Sequence, residues 1–158
     1  MRIRRATPDD LPVVAAFSAT FAAMHVAMDA RRFRYPADTG TALRDFFAVE
    51  IVNPEARVLL AEESAGAVGY AFVRREPPSL LDAREATVWL HDLHVEPAHR
   101  ARGVGDALLE ASWAAAAELG GDELHIVVAA PNDAGRAYFA TRGFRTTMLE
   151  MIAERPRA

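Results

Sequence analysis

The sequence contains no cysteine and no lysine. Without cysteine, the 158 residues cannot form disulfides, thiolate metal sites or cysteine nucleophiles. The absence of lysine excludes a Walker phosphate loop, which requires that residue, and no GxGxxG dinucleotide fingerprint is present either. The net charge is -4, so positive charge is not in excess. A protein that binds a nucleic-acid backbone needs a basic face. We therefore expect no nucleic-acid partner.

A long uninterrupted apolar segment is also missing. The most apolar stretch, Leu11–Met28, resembles the core of a signal peptide, but Asp9 and Asp10 adjoin it, and Pro12 and His25 lie within it. Its alanine, serine and threonine residues lower its hydropathy further, below that of a membrane span. We expect a cytoplasmic chain that has no membrane partner.

The size and composition of the chain suit one folded domain. With 51% hydrophobic and 25% charged residues, 158 residues are enough for one core, so we predict a single domain over residues 1–158. Capping residues, apolar periodicity and chain breakers predict the order βααβββαβαβ. The predicted strands are 3–5, 58–62, 67–74, 86–95, 124–129 and 144–152, and the predicted helices are 7–28, 41–52, 103–119 and 132–142. This order indicates an α/β fold with a mixed central sheet flanked by helices.

A glycine-containing loop between a predicted strand and a predicted helix is the first candidate site. In the run Arg100-Ala101-Arg102-Gly103-Val104-Gly105, the helix dipole and the first amides favour an anion at the loop mouth. The glycines let the backbone approach phosphate oxygens, and Arg100 and Arg102 supply charge-assisted hydrogen bonds. The loop therefore suits a pyrophosphate. The alternative is a glycine-rich helix start with solvated arginines.

Three segments together resemble the GCN5-related N-acetyltransferase (GNAT) family. The loop matches the family's RxxGxG pattern and directly follows the strand Trp89–Pro97, which carries Leu-x-Val. Asn132–Phe144 is similar to the family's NxxAxxFYxxxGF segment, and Ile3–Asp10 is similar to its opening strand and helix start. The resemblance covers nearly the whole chain. It implies the acyl-CoA N-acyltransferase fold, acetyl-CoA as co-substrate and an amine as acceptor.

The resemblance also implies which residues hold acetyl-CoA. The backbone of Leu93, His94 and Val95 would bind the pantetheine and the thioester carbonyl, where the fourth and fifth strands splay apart. The pyrophosphate would lie on Arg100, Arg102, Gly103, Val104, Gly105 and Asp106, and the cofactor arm on Asn132 and Phe139. Core packing of Leu93 and Val95, and an N-cap role for Asn132, are the structural alternatives. Both are compatible with binding through the backbone or the side chain.

Proton removal from the amine needs a base, because an amine with a pKa near 10.4 is mostly protonated at neutral pH. Several relatives carry a Glu-Asp pair where this chain has His91-Asp92. We predict His91 as the proton acceptor and Asp92 as the reserve, with a histidine simply packed on a strand as the alternative. His91 and His94 have a spacing that suits a metal, but strand alternation puts them on opposite faces, so we expect no metal.

Position 139 departs from the family, which usually has a tyrosine there to protonate the departing thiolate. This chain has Phe139, with Tyr138 beside it, which we expect to pack in the core. A slow transferase, an acyl-CoA-binding module without turnover and a transferase of another acyl chain therefore stay open. A small-molecule amine and a protein N-terminus both stay open as acceptors. A homodimer is expected because two-fold pairs are the commonest oligomers.

Overall fold

The computed structural model of the protein describes residues 1–155. It contains two compact units, one of Met1–Val127 and a second that begins at Val128. The single domain predicted over residues 1–158 stays a prediction. The first unit has the strands β1 (Arg2–Arg5), β2 (Ala56–Glu63), β3 (Gly66–Glu76), β4 (Thr87–Val95) and β5 (Leu124–His125), and the helices α1 (Leu11–Met28), α2 (Thr39–Glu50) and α3 (Val104–Glu118). The second unit has the helix α4 (Asp133–Ala140).

The five strands form one mixed sheet in the order β1-β2-β3-β4-β5. The first four are antiparallel neighbours, and β5 pairs with β4 in parallel. Successive side chains of β3 point to opposite faces of the sheet. On one face, Tyr70 and Phe72 pack with Phe17 of α1 and Phe47 of α2. On the other face, Gly69 lies against Leu108 of α3. The predicted α/β fold, a mixed sheet flanked by helices, is confirmed.

The first helix was predicted over residues 7–28, and the structure has a 3-10 turn at Pro8–Asp10 that leads into α1 at Leu11. Thr7 donates its backbone N–H and its hydroxyl to Asp10 at 2.8 and 3.0 Å, and this contact stabilises the chain's turn into the helix. Arg4 pairs with the same carboxylate at 2.6 Å. By length and composition this helix could cross a membrane, and its Val14 and Phe17 are buried in the hydrophobic core beside the sheet.

A β-bulge interrupts the pairing of β3 with β4. Phe72 pairs with Asp92 and Val73 pairs with Leu90, so that His91 is the extra residue of β4. In a bulge two residues of one strand oppose one residue of its partner, and the regular alternation of faces is lost locally. His91 stacks on the ring of Phe72 at 5.2 Å, and Asp92 accepts a hydrogen bond from Tyr70. Both side chains therefore lie on the face that α1 and α2 cover.

The last predicted strand, 144–152, is wrong. Within the described part of the chain, residues 144–155 contain no helix and no strand, and Met148 and Met151 are 76% and 90% exposed. The apolar and β-prone residues of this segment match a strand pattern, but a strand forms only where a partner supplies ladder hydrogen bonds. β5 is likewise shorter than the predicted 124–129, because its pairing with β4 extends over two residues.

Candidate functional site

One edge of β4 is open at the residues predicted to hold the thioester arm. β4 pairs with β5 through Val88 and Trp89 alone, whereas on its other edge it stays paired with β3 as far as Val95. The predicted splay lies where this pairing has already ended, and the binding of a thioester there stays a prediction. Within residues 1–155, no strand continues the pairing along this edge of Leu93–Val95, which can therefore bind an extended ligand through the backbone.

The loop that follows β4 has the shape expected of an anion site. Ala101 and Gly103 have φ values of 58° and 82°, in the left-handed region, immediately before α3 begins at Val104. The amides of the first helical turn have no partner four residues earlier in the chain, so they face the loop mouth together with the positive end of the helix dipole. A non-glycine residue in this conformation costs energy, and such residues concentrate at functional sites.

The residues of the loop contribute either a side chain or a backbone amide to the candidate anion site. Arg100 donates its Nε to the carbonyl of Val95 at 2.9 Å, which ties the loop to the end of β4, and Arg102 is exposed beside it. The side chain of Val104 is buried, so that residue contributes its amide. Asp106 likewise suits a phosphate only through its amide, because its carboxylate would repel the phosphate oxygens. Backbone amides next to two arginines are a donor set that fits the pyrophosphate of acetyl-CoA.

His91 is held by a carboxylate. Its Nε2 lies 2.9 Å from Oε1 of Glu76, and Arg74 lies 3.4 Å from the same oxygen. When Nε2 carries the proton and donates it to Glu76, Nδ1 keeps a lone pair that can accept a second proton. The side chain is 35% exposed, so a proton taken up here can pass to solvent. This arrangement suits a proton acceptor.

Asp92 is anchored by a buried tyrosine that sequence reasoning missed. The hydroxyl of Tyr70 donates to Oδ2 of Asp92 at 2.5 Å, and the nearby hydroxyl of Ser18 lowers the pKa of Tyr70 slightly. Burial raises the pKa of Asp92, and the hydrogen bond from Tyr70 offsets part of that rise. Burial, followed by the nearby charge of Asp92, raises the pKa of Tyr70 well above its usual value, so Tyr70 stays a donor. No local signal marks this pair, because 22 residues separate its members.

The argument that strand alternation separates His91 from His94 is wrong. His94 contacts the rings of Phe17 and Tyr70 at 5.8 and 6.4 Å, on the same face on which His91 stacks against Phe72, because the bulge removes one alternation. Burial lowers the pKa of His94, with a smaller effect from the charge of Arg100. In the part of the chain that the structure describes, no three His, Cys, Asp or Glu residues are grouped to hold a metal.

The Tyr70→Phe variant is expected to shift the low-pH limb of kcat/KM to higher pH. The hydroxyl of Tyr70 lowers the pKa of Asp92, so its removal lets that pKa rise, and the carboxylate becomes ionised only at higher pH. The measurement is a pH profile at saturating acetyl-CoA, with Ser18→Ala as a control that leaves the Tyr70–Asp92 bond in place. An unchanged limb in a folded Tyr70→Phe variant would contradict this role.

The second unit contains the other two predicted cofactor residues. Asn132 caps α4 through its Oδ1, which accepts from the N–H of Gly135 at 2.9 Å. Phe139 is buried, with its ring 5.2 Å from that of Phe144. Tyr138, expected in the core, is instead half-buried beneath the guanidinium of Arg142, because neighbouring helix positions point about 100° apart. The cofactor contacts of Asn132 and Phe139 stay predictions.

Comparison with known proteins identifies similar sequences. A model of the Acetyltransferase (GNAT) family matches residues 21–144. A mycothiol acetyltransferase of Clavibacter sepedonicus is 30% identical over 142 residues, which are 87% of this chain. The chain spans 44% of the length of that relative.

Solved structures with the same fold extend over almost the whole chain. A mutant of the BH1408 protein from Bacillus halodurans has a TM-score of 0.85 at 23% identity, over 99% of this chain and 100% of that chain. A predicted acetyltransferase from Clostridium acetobutylicum, solved with acetyl-CoA, has a TM-score of 0.75 at 18% identity, over 96% of this chain and 95% of that chain. An aminoglycoside 6'-N-acetyltransferase from Acinetobacter haemolyticus has a TM-score of 0.75 at 17% identity, with both chains fully covered.

Proposed function

We propose that this chain transfers an acetyl group from acetyl-CoA to a primary amine by direct attack. The chain belongs to the acetyltransferase (GNAT) family of acetyl-CoA-dependent acyltransferases. The observation that carries the proposal is the bulge in β4. It places a histidine and a carboxylate, His91 and Asp92, on one face of the strand, next to the open edge of Leu93–Val95. A proton acceptor and an ammonium partner thus stand beside the backbone edge that suits the thioester.

The first unit supplies a binding surface for acetyl-CoA. The open edge of Leu93–Val95 binds the pantetheine arm, and the amides of residues 103–106 with Arg100 and Arg102 bind the pyrophosphate. Acetyl-CoA, when bound, supplies the thioester whose acetyl carbon forms the new amide bond while the carbon–sulfur bond breaks.

In this proposal Asp92 binds the amine and His91 removes its proton. The carboxylate of Asp92, anchored by Tyr70, binds the amine as its ammonium ion. Only about one part in a few thousand of an amine with pKa near 10.4 is neutral at pH 7, so the proton must be removed before the nitrogen can attack. His91 takes that proton at Nδ1, because Glu76 engages its Nε2. The CoA thiol recovers a proton from water or from protonated His91, since Phe139 carries no hydroxyl.

A free-thiol assay with acetyl-CoA and a panel of primary amines tests the proposal. At least one amine is expected to release CoA thiol together with an equal amount of acetylated product. Phe139→Tyr is expected to be neutral or faster, because a phenol at this position restores an acid for the leaving group. If acetyl-CoA binds but no amine or N-terminal peptide yields thiol, the acyl-CoA-binding module replaces the transferase. The cytoplasmic location and the homodimer stay predictions from sequence.

A further inference from the structure

A buried carboxylate on α2 has no step of its own in the proposed transfer. The side chain of Glu50 is only 7% exposed. Its Oε1 lies 3.3 Å from Arg74, and its Oε2 accepts a hydrogen bond from Asn53 at 3.0 Å. Removing a carboxylate from water costs free energy that an ion pair repays only in part, so the pair by itself is weak evidence of a stabilising role. The other contacts of Arg74 point to a second role.

Arg74 joins Glu50 to the carboxylate that holds His91. It lies on β3 two residues before Glu76, so both side chains point to the same face of the sheet. Its Nη1 donates to Oε1 of Glu50 at 3.3 Å, and its Nε lies 3.4 Å from Oε1 of Glu76. Nε2 of His91 lies 2.9 Å from that same oxygen of Glu76. These four side chains therefore form one continuous series of polar contacts, from α2 through β3 to the bulge of β4.

The imidazole of His91 needs such a contact to have one defined orientation. Phe72 and Trp89 stack on it with ring centroids 5.2 and 6.3 Å away, and their planes are inclined to it by 28° and 27°. Stacking fixes the plane of the ring, but two orientations related by a 180° rotation about the Cβ–Cγ bond share that plane. Only one of them directs Nε2 to Glu76 and leaves Nδ1 for the amine. The position of Glu76 therefore decides whether Nδ1 is available.

We propose that Glu50 and Arg74 are positioning residues for the proton acceptor. Arg74, held by the buried carboxylate of Glu50, keeps Glu76 in the conformation in which its Oε1 faces Nε2 of His91. Without the guanidinium, the two carboxylates that it contacts would repel each other, and Glu76 would turn away. Arg74 contacts them through two different nitrogens, a geometry that a planar guanidinium provides and a compact ammonium group reproduces less well. This inference rests on the proposed function, since it concerns the orientation of the base in that transfer.

Arg74→Met is expected to lower kcat about tenfold, a part of the roughly 10²- to 10⁴-fold that a general base contributes. The KM for the amine should change little, because Asp92 binds the ammonium group in the proposed mechanism. Arg74→Lys keeps the charge and should recover part of the loss. The matched control is Arg75→Met, since Arg75 is the next residue of β3, points to the other face and pairs with Glu55 at 3.9 Å. Unchanged kcat in folded Arg74→Met, or an equal fall in Arg75→Met, overturns the proposal.

A double-mutant cycle separates positioning from a general structural role. A residue that acts through the imidazole has no effect once the imidazole is removed, so Arg74→Met should cost nothing further in a His91→Ala background. Glu50→Gln keeps the shape of the side chain and removes its charge, and it should lower kcat severalfold in the wild type and not in His91→Ala. Losses of the same size in both backgrounds assign Arg74 and Glu50 to structure alone and overturn the proposal.

Nitrogen NMR of the imidazole tests the orientation of His91 without any transfer. Above neutral pH, the Nε2–H that donates to Glu76 should give a cross-peak that is protected from exchange with water and is absent in His91→Ala. The peak should persist in Arg75→Met and be broadened or lost in Arg74→Met and Glu50→Gln. Its persistence in these last two variants overturns the positioning role even where an amine is acetylated. If the peak behaves as expected but no amine releases thiol, only the transferase is overturned, so the two failures are distinguishable.

Discussion

His91→Ala is expected to lower turnover by roughly 10²- to 10⁴-fold, the range typical of a lost general base. The imidazole lies 2.9 Å from Glu76 and, in the proposed mechanism, takes the proton of the ammonium group, which an alanine side chain cannot do. Affinity for acetyl-CoA should stay close to that of the wild type, because the proposed cofactor surface, the strand edge and the loop before α3, does not include the His91 side chain. Steady-state kinetics with the best amine of the panel, combined with calorimetric titration of acetyl-CoA, measure the two quantities.

Two further variants separate the proton acceptor from the ammonium partner. Glu76→Gln keeps a group that can hydrogen bond to Nε2 but removes its charge, so turnover should fall less than in His91→Ala. Asp92→Asn should act mainly on the KM for the amine, because the neutral amide no longer pairs with an ammonium group. Wild-type turnover in a folded His91→Ala variant would assign the acceptor role to Asp92 or to water.

Gly103→Asp is expected to weaken acetyl-CoA binding about a hundredfold. The new carboxylate would stand at the start of α3, where the pyrophosphate is proposed to lie. Two like charges roughly 6 Å apart repel by about 3 kcal/mol at an effective dielectric constant near 20. Calorimetric titration of acetyl-CoA gives the affinity directly.

Gly103→Ala is the control that this comparison needs. Gly103 has a φ of 82°, so any residue with a Cβ is strained there, although no atom lies within 4 Å of the added carbon. The strain, about 1–2 kcal/mol, is common to both variants, so the difference between them isolates the charge. Thermal melts confirm that both are folded. Equal affinities for acetyl-CoA in the Asp and Ala variants would remove the pyrophosphate from this loop.

Local sequence determined most of the elements and the position of the loop before α3, the proposed pyrophosphate site. Thr7 contacts Asp10 across the 3-10 turn that leads into α1, and Asn132 caps α4, because a cap is a contact between residues three apart in the chain. The loop before α3 was also predictable, since glycine at position 103 and the helix start depend on neighbouring residues. The family resemblance rested on the same short spacings, and the family model that matches residues 21–144 bears it out.

Tertiary structure alone decided how the residues of the proposed amine site are arranged, and that the last segment forms no strand. The bulge at His91 depends on the register between β3 and β4, and that register places Tyr70 beside Asp92. Pattern rules assume uninterrupted alternation, so they assigned His91 and His94 to opposite faces. Residues 144–152 likewise have the composition of a strand and are not one, because strand formation needs a pairing partner as well as suitable side chains. Residue types and short spacings thus determined the elements and the loop, whereas long-range pairing decided which side chains meet.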